Sequence, residues 1–353
     1  MKSISATNRS SINHINALDG VRGLAALIVL ISHTSNASDL WGKALGNGFG
    51  QLGVMLFFVL SGFLMSFLYL HRSPDSPSIH RYITNRVSRV YPLFLFTVVA
   101  SFCLWELQVV IPGFVGPRTY TELFQHIFLV RGDIHFWTIP AEMQFYVIFL
   151  ASWILSHRHP QLFLIVVSIS TFSWLYFEVS EVGNRSTSIR YLHFFVAGCC
   201  LPVARAWLLK RALPIWVHTA LLAASLLFLT ASIFSVHGQP PGLWLNPATL
   251  FACVMVVLSV SIPSLGSFLF ENSGVRFIGK ISYSLYLLHP IAIGLLLPLL
   301  ELGFSAEVYS VAVICAALLL AFASYRIIEQ PSQALIRNTS KIMRINQNRG
   351  TTK

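Results

Sequence analysis

Ten stretches of roughly twenty mostly apolar residues recur along the chain, at 18–37, 50–70, 90–111, 137–156, 162–178, 190–208, 215–235, 247–270, 281–300 and 308–328. A helix needs about this length to cross a hydrocarbon core of roughly 30 Å. Backbone inside lipid must satisfy its own N–H and C=O groups, which restricts an apolar run of this kind to a helix. The expected fold class is therefore all-α, a polytopic membrane helical bundle of about ten transmembrane helices. Composition agrees, with 55% hydrophobic and only 10% charged residues, where a soluble domain carries about 25% charged. The net charge of +11 would suggest nucleic acid in a soluble chain. Here the basic residues lie between the apolar runs. With the amino end placed in the cytosol, sixteen Lys and Arg fall on inner segments and four on outer ones, namely Lys43, Arg118, Arg131 and Arg185. That asymmetry puts both termini in the cytosol, makes the lipid bilayer the partner of the charge pattern and excludes nucleic acid.

The five cysteines all fall inside apolar runs, without metal-ligand spacing or a disulfide framework, and imply neither metal nor permanently bound cofactor. Lys2 and Arg9 before the apolar core at 24–31 resemble a cleavable signal. Asp19 and Arg22 adjoin that core and many further spans follow, which favours a retained helix. The basic segment 332–353 is expected to be a cytosolic tail, either disordered or lying on anionic lipid. The longest outer segment, 112–136, is rich in turn residues and aromatics and is expected to fold over the outer mouth of the bundle.

Several polar residues sit where lipid would exclude them. Arg22 and His33 are eleven positions apart on one helix, so they share a face and lie roughly 16 Å apart along its axis. Asp19 precedes Arg22 by three, near enough to pair with it. A histidine in a membrane helix can serve simply as a hydrogen bond to a neighbour. It is also the usual general base near neutral pH, and intramembrane ionisable groups mark function. Glu142, five residues into an inward-running helix behind Trp137 and Pro140, comes to about the same depth as His33. A carboxylate there could orient the imidazole. Arg86 and Arg89 are neighbours on a helix surface at the cytosolic side and could clamp a phosphate, although topogenic charge alone accounts for such a loop. Ser61 and Gly62 form a small pair mid-helix, suited to close approach. His289, before Pro290, is placed about 12 Å from the cytosol by its position in the run 281–300. Arg326 and Glu329 are expected to form a structural i,i+3 pair. His193 and Glu106 receive no role.

Six segments in order, from Leu18 to Pro331, together resemble the acyltransferase-3 family of integral membrane acyltransferases. They are Leu18-Asp19-Gly20 with Arg22-x10-His33, the second-run segment 53–64, Arg86-x-x-Arg89 followed by Tyr91-Pro92, Trp137-x4-Glu142-x2-Phe145-Tyr146, the segment 283–290, and Ile327 to Pro331. Pro140 departs from the small polar residue expected at its position and puts the local helix start in question. The resemblance implies a domain over 1–331 in the cell inner (cytoplasmic) membrane. It implies transfer of an acyl group, most often acetyl, from cytosolic acyl-coenzyme A as co-substrate to a hydroxyl of a cell-surface glycan or related acceptor. A separate acyl-handling protein is a possible partner. On that reading Arg86 and Arg89, with Arg81, hold the donor's phosphates. Arg22 holds the donor higher up and Asp19 orients Arg22. His33 deprotonates the acceptor or carries the acyl group, and Glu142 fixes the His33 tautomer or binds the acceptor. Ser61, Tyr91, Trp137 and His289 are candidate pocket residues. The competing class is a transporter or flippase for a glycan or lipid-linked substrate, whose buried Arg and His would line a path. No symmetry of broken helices between the two halves supports it.

Overall fold

The apolar runs become helices, several of them starting behind a side-chain cap. The computed structural model describes residues 15–159, 165–170, 172, 188–211, 213–235, 240–264 and 267–350. Its main elements are α1 (Asn16–Ser38), α2 (Phe49–Tyr69), α3 (Ser76–Glu106), α4 (Tyr120–Ile127), α5 (Thr138–Arg158), α6 (Leu192–Lys210), α7 (Ile215–Ser235), α8 (Pro247–Ser261), α9 (Ser273–Leu296), α10 (Ala306–Ser324) and α11 (Gln330–Gly350). No strand occurs among the described residues. Asp75 caps α3 by accepting the Ser78 N–H at 2.8 Å, with Pro77 in the first turn. Asn246 and Asn272 cap α8 and α9 in the same way, each satisfying a donor that the first helical turn leaves open. Pro140 falls in the first turn of α5, which begins at Thr138. Its missing N–H disturbs little there, because that turn's donors have no intrahelical partner.

Seven of these helical segments are long and apolar enough to cross a membrane: α1, α2, α3, α5, α6, α9 continued to Glu301, and α10 continued to Ser340. Two more, Ile215–Ala231 and Pro247–Ser261, are apolar but shorter. They occupy the runs expected at 215–235 and 247–270, the second ending early at Ser261. Most of the run expected at 162–178 lies outside the described residues, as do the start of the suspected signal, Arg185 and Lys353.

α9 packs against both α1 and α10, α1 against α2, and α2 against α6, while α7 pairs with α8. Lipid tails supply no hydrophobic drive between helices, so close backbone approach carries this association. α2 and α6 cross where Gly62 faces the Phe195 carbonyl and Gly198 faces the Val59 carbonyl, with no room for a Cβ at either position. The close approach expected of the Ser61-Gly62 pair is thus made against α6. Gly198→Val should therefore lower the melting temperature of the detergent-solubilised protein, since overpacking against backbone costs about 1–3 kcal/mol or more. Cys200→Val, at an exposed position two residues on, should leave it unchanged.

Two segments depart from the sequence expectation. The segment read as a disordered tail is helical: α11 lies along α3, with His80 Nε2 to Ser340 Oγ at 2.5 Å and Thr84 Oγ1 to Ser340 Oγ at 3.2 Å. Arg326 and Glu329 do not pair. Residues Tyr325–Glu329 form a π-turn, whose extra residue per turn rotates i,i+3 neighbours apart. Glu329 turns inward and accepts from Ser284 Oγ at 2.8 Å and Gln333 Nε2 at 3.1 Å. Arg326 turns outward over the Phe322 ring.

The segment between α3 and α5 is drawn down into the end of the bundle. Tyr91 Oη donates to the Ile127 carbonyl at 3.1 Å and Gln144 Nε2 to the Leu129 carbonyl at 3.3 Å. The Pro112 carbonyl sits against Gly294 of α9, again with no space for a Cβ.

Candidate active site

The polar residues inside the bundle fall into three levels. At the basic end, the start of α3 and α11 enclose a cavity of about 330 Å³ lined by His80, Arg81, Thr84, Asn85, Arg337 and Ser340. Arg337 lies within electrostatic reach of Arg86 and Arg89. Arg86 points inward, its guanidinium 5.6 Å from the centre of the Tyr146 ring and its Nε buried without a partner. Arg89 lies in the field of the buried Glu329. The sequence places Arg86 and Arg89 as one clamp facing one way. The structure spreads the charge instead: Arg81 and Arg337 at the cavity, Arg86 deeper. The helix surface sets only the spacing of these side chains, and Tyr146 on α5 draws Arg86 inward.

The second level is built round Glu142. Its Oε1 accepts from Ser61 Oγ at 2.8 Å and from Tyr146 Oη at 2.5 Å. A narrow cavity of about 40 Å³ is lined by Arg22, Thr138, Glu142, Ser282, Tyr283 and Tyr286, among others. That is room for a water or two, and Arg22 Nε is buried there without a partner. Glu142, which the sequence places at the depth of His33, thus lines one cavity with Arg22 instead. The backbone carbonyl of Asp19 sits against Gly279, which locks the start of α1 onto α9 and so places Arg22.

His33 forms the third level with a partner that its sequence position does not reveal. His33 Nδ1 lies 2.7 Å from His289 Nε2. His289 is buried, and its Nδ1 lies 2.7 Å from the Tyr286 carbonyl and 3.2 Å from that of Leu285. A carbonyl only accepts, so Nδ1 of His289 carries the proton and its Nε2 must accept. His33 Nδ1 is then the donor, which leaves His33 Nε2 with a free lone pair. His33 is accessible where His289 is not. Orienting His33 was expected of Glu142, whose Oε1 is engaged by Ser61 and Tyr146. His289, expected nearer the cytosol, comes level with His33 because α9 starts at Ser273, eight residues before the apolar run.

Of the other candidates, Ser61 serves Glu142, and Tyr91 anchors the segment between α3 and α5. Trp137 packs among Phe58, Tyr191 and Trp244, at ring-centre distances of 6.2, 4.9 and 5.7 Å. His193, given no role, is buried and bonded to the Trp244 carbonyl at 3.1 Å. Sequence reasoning passed over Arg337, Tyr286 and His135, and gave Glu329 only a structural pairing with Arg326. Tyr286 and Glu329 stood inside the shared segments and carried a signal. Arg337 and His135 carried none that local pattern could separate from surface charge or loop polarity. Among the described residues no group of His, Cys, Asp and Glu is arranged to hold a metal.

Long apolar helices that converge an arginine, a hydrogen-bonded glutamate and a linked histidine pair define an integral membrane protein with a built polar interior. The family model described as an acyltransferase domain matches residues 15–326. The chain belongs to this family of membrane acyltransferases. It is similar to peptidoglycan O-acetyltransferase OatA of Listeria monocytogenes, 25% identical over 92% of this chain and 57% of that protein. O-acetyltransferase OatA of Staphylococcus aureus is 27% identical over 91% of this chain and 57% of its own length. BcsY of Komagataeibacter xylinus, named as a membrane-bound transacylase, is 26% identical over 78% of this chain and 72% of its own. The chain thus spans a little over half the length of the OatA relatives. No solved structure matches it.

Proposed function

We propose that this chain is an inner-membrane O-acetyltransferase that carries an acetyl group from cytosolic acyl-coenzyme A to a hydroxyl of a cell-surface glycan. The observation that carries the reading is the His289–His33 chain of hydrogen bonds, because it leaves His33 Nε2 deprotonated and open. That nitrogen takes the proton of the acceptor hydroxyl as its oxygen attacks the thioester carbonyl. The carbon–sulfur bond then breaks, the coenzyme A sulfur leaves and takes a proton, and the acetyl ester remains on the acceptor. The positive charge that forms on His33 is shared with His289 Nε2, which still accepts from Nδ1. Both termini lie in the cytosol on this reading, so the basic end receives the donor.

Phosphates cannot enter hydrocarbon, and the cavity between α3 and α11 offers them Arg81 and Arg337, with Arg86 and Arg89 behind. The thin pantetheine arm runs upward past Arg22 and Glu142, a path of roughly 20 Å in a core of about 30 Å. The narrow cavity at Arg22 must widen to pass it, so donor entry requires α1, α5 and α9 to part. The names of the relatives point to peptidoglycan as one acceptor of the proposed class, and a separate acyl-handling protein is the candidate partner for delivery. Purified protein should hydrolyse radiolabelled acetyl-coenzyme A. Arg337→Ala and Arg81→Ala should each raise the apparent donor KM about tenfold or more, the worth of a charge-assisted hydrogen bond, while the acceptor KM stays put. No turnover of the thioester by the wild-type chain would remove the reading.

A further inference from the structure

The segment between α3 and α5 buries a histidine and exposes an isoleucine, the reverse of what water favours. Ile134 is 63% exposed and holds a positive φ of 41°, a conformation that a β-branched residue adopts only under constraint. His135, next to it, is 2% exposed, and neither ring nitrogen has a hydrogen-bond partner. A buried imidazole without partners is costly unless something else supplies them. Its ring is held between Phe114, stacked at 5.3 Å, and Phe136 at 4.0 Å.

The rest of the segment fastens this arrangement. Arg131 bridges Asp133 at 2.7 Å and Glu122 at 3.2 Å. His126 lies 2.8 Å by Nδ1 from the Glu122 carbonyl, and its Nε2 accepts the Asp133 N–H at 3.2 Å. With Tyr91, Gln144 and Gly294 gripping it from α3, α5 and α9, the segment is held within the bundle end. It delivers His135 into the electrostatic neighbourhood of both His33 and His289. Burial first, then the charges of His33 and His126, hold the imidazole neutral with its pKa lowered to about 3. It therefore keeps one N–H and one lone pair across the physiological range.

We infer that His135 is an acceptor-binding residue, whose unpartnered imidazole hydrogen-bonds the sugar hydroxyl brought to His33 Nε2. The inference rests on the proposed transferase reading and adds the residue that receives its glycan. A neutral imidazole suits a hydroxyl because it can both donate to and accept from one. The flanking Phe114 and Phe136 rings, themselves buried, fix the orientation of the imidazole.

The test uses the purified full chain, with acetyl-coenzyme A as donor and a β-1,4-linked N-acetylglucosamine tetramer as acceptor probe. Thioester hydrolysis by water and ester formation on the tetramer are measured side by side, with thermal melting as a check on folding. His135→Phe should raise the tetramer KM about tenfold or more, the loss expected for a hydrogen bond. Hydrolysis and donor KM should stay within about threefold of wild type. His135→Gln, which keeps a donor and an acceptor, should recover most of the transfer. An unchanged tetramer KM in His135→Phe, or equal loss of hydrolysis and transfer in both variants, would overturn the inference and leave the transferase reading standing. Hydrolysis without any transfer by the wild-type chain would overturn the inference too, whereas absence of both reactions would remove the proposed function itself.

Discussion

His33→Ala is expected to abolish acyl transfer, lowering turnover by about two to four orders of magnitude, the usual worth of a positioned general base. The variant should insert and fold normally, because His33 is accessible and bonds the buried His289 rather than packing in the core. Its donor KM should be nearly unchanged, since the phosphate site proposed at Arg81 and Arg337 does not include His33. A split of that kind, with turnover lost and donor binding kept, separates a base from a structural hydrogen bond. Retained turnover in membranes that contain normal amounts of the variant would remove His33 from the chemistry.

The second large effect is expected at His289. His289 is buried, touches no open surface, and acts through the nitrogen it offers to His33. Replacing it with alanine should cost about a hundredfold in turnover, because His33 is then free to rotate and to present the wrong tautomer. His289→Gln is the informative companion. A glutamine carbonyl can accept the His33 Nδ1–H, so this variant should regain a substantial part of the rate. The pH profile should move as well: without the acceptor on Nδ1, the His33 imidazolium loses stabilisation, and the acidic limb of turnover should shift to lower pH. A packing role alone would lower stability equally in both variants and leave the limb in place. Melting temperature and pH–rate profile, measured together, decide between the two.

These effects show how much of the site could be read locally. Arg22 and His33 belong to one helix, so 3.6-residue periodicity sufficed to put them on one face. Ser61, Glu142 and Tyr146 stood in shared segments, although their mutual hydrogen bonds did not follow from spacing. Depth estimates brought Glu142 and His33 to one level, yet Glu142 lines a cavity with Arg22 and bonds Ser61 and Tyr146, while His33 bonds His289. His289 was misplaced because its depth was counted from the start of an apolar run, whereas α9 begins eight residues earlier behind an Asn272 cap. The tail was read as disordered from its polarity. Its helix is held by Ser340 against His80 and Thr84, contacts that no reading of 332–353 in isolation contains.

The linear order of residues was enough to determine a helical membrane bundle, the extent of most of its spans, and an arginine and a histidine aligned on α1. Those properties depend on length, hydropathy and helical period, each a local quantity. Only the tertiary structure decided that His33 bonds His289, that Arg337 joins Arg81 across a cavity, and that His135 is buried against Phe114 and Phe136. Each of these joins segments far apart in the chain. Such pairings are set by which helix faces can approach closely, at Gly62 against Phe195 and at Gly279 against Asp19. Leu18 to His33 thus supplies one wall of the polar interior, and α9 supplies the histidine bonded to His33.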